Sequence, residues 1–268
     1  NIHGRRVNMD VLTRKGSGYT ASHAPDVMRA ADPWFVGVSL AYGPDGGVYV
    51  SDFSDTGECH HTRNTRKHTG RIYKITYGKP KPWRGDIGKL KTEELATLQL
   101  HNNDWFVRHA RRVLHERLDY THKIWSPTSS HPEKNHAAWR SFRSGRFDAT
   151  DQFLKEQLAE HKSVPKRLRA LWALYASDGV EADDLMVLFK DRNEHVRAWA
   201  IQLLMNDFRI AKGALASLTE MAENDKSPLV RLYLASAAQR VPVNLRAPLL
   251  KALLAHGEDV DDPNLPLM

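Results

Sequence analysis

The sequence predicts an α+β chain of more than one domain. An antiparallel sheet of about one propeller blade, or a fragment of a sandwich, is followed by an α-solenoid of paired helices. Three observations predict it. Apolar residues alternate with period two through the first eighty residues, between turns rich in glycine. From Thr92 on the period becomes helical and stays so. Within that helical part an apolar residue followed by Arg keeps returning, with further apolar positions three, four and seven residues later.

The composition sets outer bounds. A chain of 268 residues, 41% apolar and 26% charged, holds enough material for two domains with a sizeable core. No apolar run approaches the roughly 20 residues of a membrane helix. Asn1, Ile2, His3, Gly4, Arg5 and Arg6 offer neither an initiator Met nor the apolar core of a signal peptide, so no leader reports the compartment. Cys59 is the single cysteine and excludes an internal disulfide. The net charge of +7 is carried by residues 1–91, with 15 Lys/Arg against 8 Asp/Glu, whereas residues 92–268 balance at 24 against 24. Within the second part, 101–170 is basic (14 against 8) and 171–268 acidic (10 against 14), which argues for a dipolar surface. Nucleic-acid binding is disfavoured, because no one segment interleaves the basic residues with aromatic ones.

Residues 1–78 read as sheet. Residues 7–12 alternate, and Gly16, Ser17 and Gly18 make a turn. Val36, Val38, Leu40 and Tyr42 alternate up to Gly43-Pro44-Asp45-Gly46-Gly47, and Val48, Tyr49 and Val50 resume on the other side, as in a hairpin. Residues 71–77 form a further strand after Gly70. Four strands cannot close a propeller, which needs at least about four blades. Either sister blades precede Asn1 or this sheet packs on the helices that follow; the first is expected. Residues 79–91, with Pro80 and Pro82 among cationic neighbours, form the linker.

Residues 92–268 read as repeated helix pairs. Val107-Arg108, Leu168-Arg169, Val196-Arg197 and Val230-Arg231 place the arginines 61, 28 and 34 residues apart, which suits a repeat of about thirty residues with one interrupted copy. Asp104, Asn193 and Ser227 stand where helix N-caps belong, and Pro165 and Pro228 in first turns. Partner helices are predicted over 92–101, 150–161, 181–190, 212–224 and 244–256. Residues 119–146, rich in His, Ser and Pro, read as an irregular insertion with one short helix over 135–142. Residues 264–268 are apolar and lack the polar outer face of a capping unit, so the array is expected to continue beyond them.

Several side-chain groups are candidates for function. Asp52, Asp55 and Glu58 follow a strand and offer the hard oxygen donors that calcium prefers; the alternative is that the two aspartates structure the loop through Asx-turns. Cys59, His60 and His61 carry transition-metal ligand chemistry, but adjacent ligands diverge along an extended chain and suit zinc poorly. Asn8 and Asp10 share a strand face near His3, facing either a substrate or solvent. Arg108, Arg169, Arg197 and Arg231 suit repeat stacking, each pairing with an acid or with carbonyls of the neighbouring repeat; the alternative is a basic ladder for an acidic partner. Trp105, Trp172, Trp199 and Tyr233 fall in the apolar stripe and are expected in the core. No complete catalytic set assembles from these residues.

Taken in order, several pieces of the sheet half carry a family resemblance: Gly16-Ser17-Gly18-Tyr19, Asp32-Pro33-Trp34-Phe35, Tyr42 to Tyr49, Asp52 to His60, and Gly70-Arg71-Ile72-Tyr73-Lys74. So do Asp104-Trp105-Phe106-Val107-Arg108, Arg167-Leu168-Arg169, His195-Val196-Arg197 and Val230-Arg231 in the helical half. Together they resemble the large PVC-type, membrane-bound-dehydrogenase-like bacterial proteins, where the end of a glucose/sorbosone-dehydrogenase-like propeller is joined to HEAT-like repeats. The resemblance implies a secreted or periplasmic redox protein, with quinone and haem c as cofactors of the parent and calcium at the propeller. It also implies further propeller blades and a downstream cytochrome-like module as partners. The Cys-x-x-Cys-His haem motif is absent from these residues, so the piece itself is expected to be non-catalytic. The alternative is a protein-interaction scaffold.

Overall fold

A computed structural model describes residues 4–54, 68–125, 147–206 and 213–268. Strands β1 (Arg6–Lys15) and β2 (Gly18–Arg29) form a two-stranded sheet. Strands β3 (Gly37–Tyr42), β4 (Val48–Asp52) and β5 (Arg71–Ile75) form a second, antiparallel sheet in that order. Its register pairs Leu40 with Val50, Tyr42 with Val48, Val50 with Tyr73 and Asp52 with Arg71. The β3–β4 turn depends on Gly46, whose φ of +79° an L side chain rarely adopts, and on the Asp45 carboxylate, which accepts the Gly47 N–H at 3.1 Å.

Five strands in two sheets thus stand in place of the four expected in one. Between β2 and β3 the Asp32 side chain accepts the Trp34 N–H at 2.8 Å in an Asx-turn, and Pro33 has no N–H to give a ladder. Strand β2 therefore ends before it can lead into the second sheet. Among the described residues no sheet closes into a barrel or a propeller.

Contacts divide the chain into two units, Asn1–Thr13 with Tyr19–Gly85, and Arg14–Gly18 with Asp86–Met268. The first has a small core, in which Phe35 and Val50 are buried and the Phe35 ring lies 5.9 Å from that of Tyr73. Val38 and Ile72 stay 60% and 77% exposed, so much of the sheet's apolar surface faces outward.

The second unit is helical. It contains α1 (Thr92–Thr97), α2 (Asp104–Trp125), α3 (147–160), α4 (Val164–Ala176), α5 (Ala182–Val187), α6 (Glu194–Leu204), α7 (Ala214–Asn224), α8 (Pro228–Ala238) and α9 (Ala247–Leu254). Start signals are satisfied locally. Asn193 Oδ1 accepts the His195 N–H at 3.0 Å, Ser227 Oγ accepts that of Val230 at 3.3 Å, and Pro165 and Pro228 sit in first turns that have no donor to lose. Helices α1 and α5 finish in 3-10 turns, Leu98–Leu100 and Leu188–Lys190. Helix α2 packs on α4, α4 on α6 and α6 on α8, while α7 packs on α9. Leu114, Leu171, Leu174, Ile201, Leu218 and Leu234 are fully buried in the continuous core that results. Each such side chain contributes about 2 kcal/mol by leaving water.

Two expectations are corrected here. Helix α2 runs to Trp125, so residues 119–125 are helical and not irregular, because no Gly or Pro interrupts the chain before Pro127. The side chain over the first turn of α2 is that of Asn103, which accepts the Trp105 N–H at 3.0 Å, while Asp104 is the first helical residue. The short helix expected over 135–142 lies outside the described residues. Among the described residues no helix is long and apolar enough to cross a membrane.

Candidate functional site

Asp52 ends β4 with its carboxylate wholly inside, at 0% side-chain exposure. Oδ1 accepts the N–H groups of Val36 at 2.8 Å and Ser54 at 2.9 Å, and Oδ2 accepts Arg71 Nε at 2.7 Å. Arg71 also reaches Asp32 at 2.6 Å, and the Asp32 bond, with a smaller contribution from Asp52, raises its pKa above the usual guanidinium range. With a guanidinium already on one oxygen and neither exposed, this carboxylate structures its loop. Asp55, Glu58, Cys59, His60 and His61 lie outside the described residues, as does His3. Asn8 Nδ2 donates to Asp10 Oδ2 at 3.1 Å, and His23 Nδ1 is 3.1 Å from Asp10 Oδ1, so these three form an exposed polar cluster on the first sheet. Among the described residues no three His, Cys, Asp or Glu side chains are placed to hold a metal ion.

The helical arginines are organised differently from one another. Arg197, early in α6, donates through Nε and Nη2 to the Asp225 carboxylate at 2.7 and 2.8 Å and through Nη1 to the Asp191 carbonyl at 2.9 Å. Arg231, early in α8, repeats this: Nε and Nη2 to Asp259 at 2.6 and 2.5 Å, Nη1 to the Asp225 carbonyl at 2.8 Å. Its pKa lies above the usual range because the Asp259 carboxylate favours its charged form. One step earlier the corresponding rung is Arg167, not Arg169. Arg167 Nη1 and Nη2 meet the Asp191 carboxylate at 3.2 and 2.5 Å, and Nε donates to the Leu158 carbonyl at 2.5 Å. Arg167, Asp191, Arg197, Asp225, Arg231 and Asp259 thereby form one relay, in which Asp191 and Asp225 take one arginine on the carboxylate and the next on the carbonyl.

Arg169 instead pairs with Asp104 at 2.9 Å and donates to the His101 carbonyl at 3.0 Å. Arg108 is an exposed i,i+4 partner of the same Asp104, at 2.9 Å. Trp172 packs edge-on to Trp199, with ring centres 4.8 Å apart, and both are half-buried at the margin of the core. An open groove of about 540 Å³ runs beside the relay, lined among others by Met186, Phe189, Lys190, Glu220, Met221 and Asn224.

No family model, no curated protein and no solved structure matches this chain.

Sequence reasoning singles out four arginines and passes over Arg167 and the three aspartates. A signal for the aspartates exists: Asp191, Asp225 and Asp259 stand 34 residues apart. Each follows the first helix of a pair, and the first two fold as Asx-turns, accepting the N–H two residues on, Asn193 at 2.8 Å and Ser227 at 2.9 Å. Arg167 shares a signal with the others, being the fourth residue of its helix as Arg197 and Arg231 are of theirs, but Lys166 precedes it where Val196 and Val230 precede them, so the apolar-Arg pattern falls on Arg169 instead.

Proposed function

We propose that the chain is the junction of a secreted or periplasmic dehydrogenase-like redox protein, comprising the end of its β-propeller and a HEAT-like α-solenoid that acts as a spacer or docking arm. The observation that carries this reading is the relay. Arg197–Asp225 and Arg231–Asp259 make the same three contacts 34 residues apart, and stacked copies of one helix pair produce such a step. The sheet half is supported by the outward-facing Val38, Leu40 and Ile72, apolar surface that a blade buries against its neighbours in a closed propeller. The partners on this reading are the other blades and a downstream cytochrome-like module. Quinone and haem c belong to those parts, and this chain alone is expected to reduce no dye with a sugar.

The test is the gene on either side of this segment together with cross-linking of the full-length protein. Propeller blades upstream, a Cys-x-x-Cys-His module downstream and cross-links from the helical unit to that module are expected. A gene that encodes neither neighbour overturns the proposal.

A second reading, a non-catalytic protein-interaction scaffold, is favoured by the open groove beside the relay, whose methionines and Phe189 offer an adaptable apolar floor within a charged rim. Dye reduction by the intact protein, supplied with quinone, calcium and a sugar, would reject that reading.

A further inference from the structure

Three guanidiniums gather where α2 packs on α4. Asp104 is already shared between two of them, with Arg108 Nε on Oδ2 and Arg169 Nη2 on Oδ1, each at 2.9 Å. Arg111, one turn along α2, is left over. Its Nε is buried with no acceptor, and its guanidinium lies over the Trp172 ring, 5.2 Å from the centroid. The indole Nε1 of Trp172 is likewise buried with no acceptor.

Both orphans are obligate donors. A buried donor left unmade is destabilising, and what would relieve it is an acceptor. The local charge demands the same thing. Burial brings the Arg111 pKa down to about 10, with repulsion from Arg169 and Arg108 adding to the fall and Asp104 opposing it. The group is therefore still charged at neutral pH, beside two like charges. A water molecule satisfies one donor but offsets no charge. An oxyanion does both, since its several lone pairs match the planar forks of clustered arginines. The platform is held in place, because Trp172 is braced edge-on by Trp199.

We propose that Arg108, Arg111, Arg169 and Trp172 form a binding site for an oxyanion group, either a free sulfate or phosphate or the carboxylate of an acidic peptide. The proposal rests on the geometry of the helical unit and not on the dehydrogenase-like reading.

The test is a titration of the ¹⁵N-labelled full chain with sodium sulfate, against sodium chloride at matched ionic strength. The Arg111 Nε–Hε and Trp172 indole resonances are followed. Sulfate is expected to shift both saturably and chloride neither. Arg111→Met should weaken the binding at least about tenfold, the loss of a charge-assisted contact. Because that variant touches a buried position, Arg108→Gln provides an exposed one; it should weaken binding about threefold with the melting temperature unchanged. A penta-glutamate peptide forms the second arm. Binding at least tenfold tighter than sulfate assigns the group to a polypeptide, and comparable binding assigns it to a free anion. Equal shifts with sulfate and chloride, or wild-type sulfate affinity in Arg108→Gln, would overturn the proposal.

Discussion

Replacing Arg231 with Met removes the last rung of the relay while keeping most of the aliphatic volume. The arginine is 3% exposed and makes two bonds to Asp259, at 2.6 and 2.5 Å, and a third to the Asp225 carbonyl at 2.8 Å. Truncating one partner of a buried, hydrogen-bonded ion pair costs about 3–5 kcal/mol, chiefly because the other charge is stranded. Here the stranded group is Asp259, 15% exposed on a 3-10 turn, which can swing toward water. The loss should therefore lie near the lower end, about 3 kcal/mol. For a unit of this size that corresponds to a melting temperature lower by roughly 6–12 °C. Urea unfolding followed by far-ultraviolet circular dichroism measures it. Adding Asp259→Leu to Arg231→Met removes the orphan charge and should recover about half of the loss. Arg108→Ala, at an exposed i,i+4 pair, sets the baseline at no more than about 0.5 kcal/mol. A loss for Arg231→Met no larger than that baseline, or no recovery in the double variant, would refute the reasoning.

Three further outcomes are expected. Asp52→Asn, which weakens the buried contacts to Arg71, Val36 and Ser54, should destabilise the sheet unit by about 2 kcal/mol, read as faster amide exchange across β4 and β5. The Asp45 carboxyl, bonded to Lys74 and to the Gly47 N–H, should titrate below its ordinary 3.8. Because its folded pKa is the lower one, its contribution is present above the unfolded value and is lost as pH falls through the folded midpoint; an NMR titration should show that midpoint rising in Lys74→Met. Gly213→Ala should cost about 1 kcal/mol in thermal unfolding, since residue 213 has φ of +83° and open space around it, which leaves only backbone strain.

The helical half was readable because its signals are local. The 3.6-residue period, Asn193 and Ser227 as caps and the two first-turn prolines act within a turn or two of where they stand. What was not readable is long-range. Arg167 and Asp191 meet only once α4 has packed on α6, and no helical period reports that meeting. The last turns of α2, residues 119–125, are hard to read for another cause: Asp119, Thr121 and His122 suit a loop, yet no breaker stands before Pro127 to end the helix. Strand β2 is not legible in the sequence, since Pro25 within it argues against a strand. It is tolerated there because a two-stranded sheet has only edges. Of the candidate sites, Asp52 was legible as loop chemistry, whereas the charge imbalance around Arg111 needed two helices brought side by side.

The double duty of Asp225 has a mechanical result. One backbone unit anchors the helix behind it through its side chain and the helix ahead of it through its peptide oxygen. Strain at either joint reaches the other through a single residue. Heat or force should then undo α6 to α9 as one block, in a single sharp transition, where independent pairs would peel away one after another.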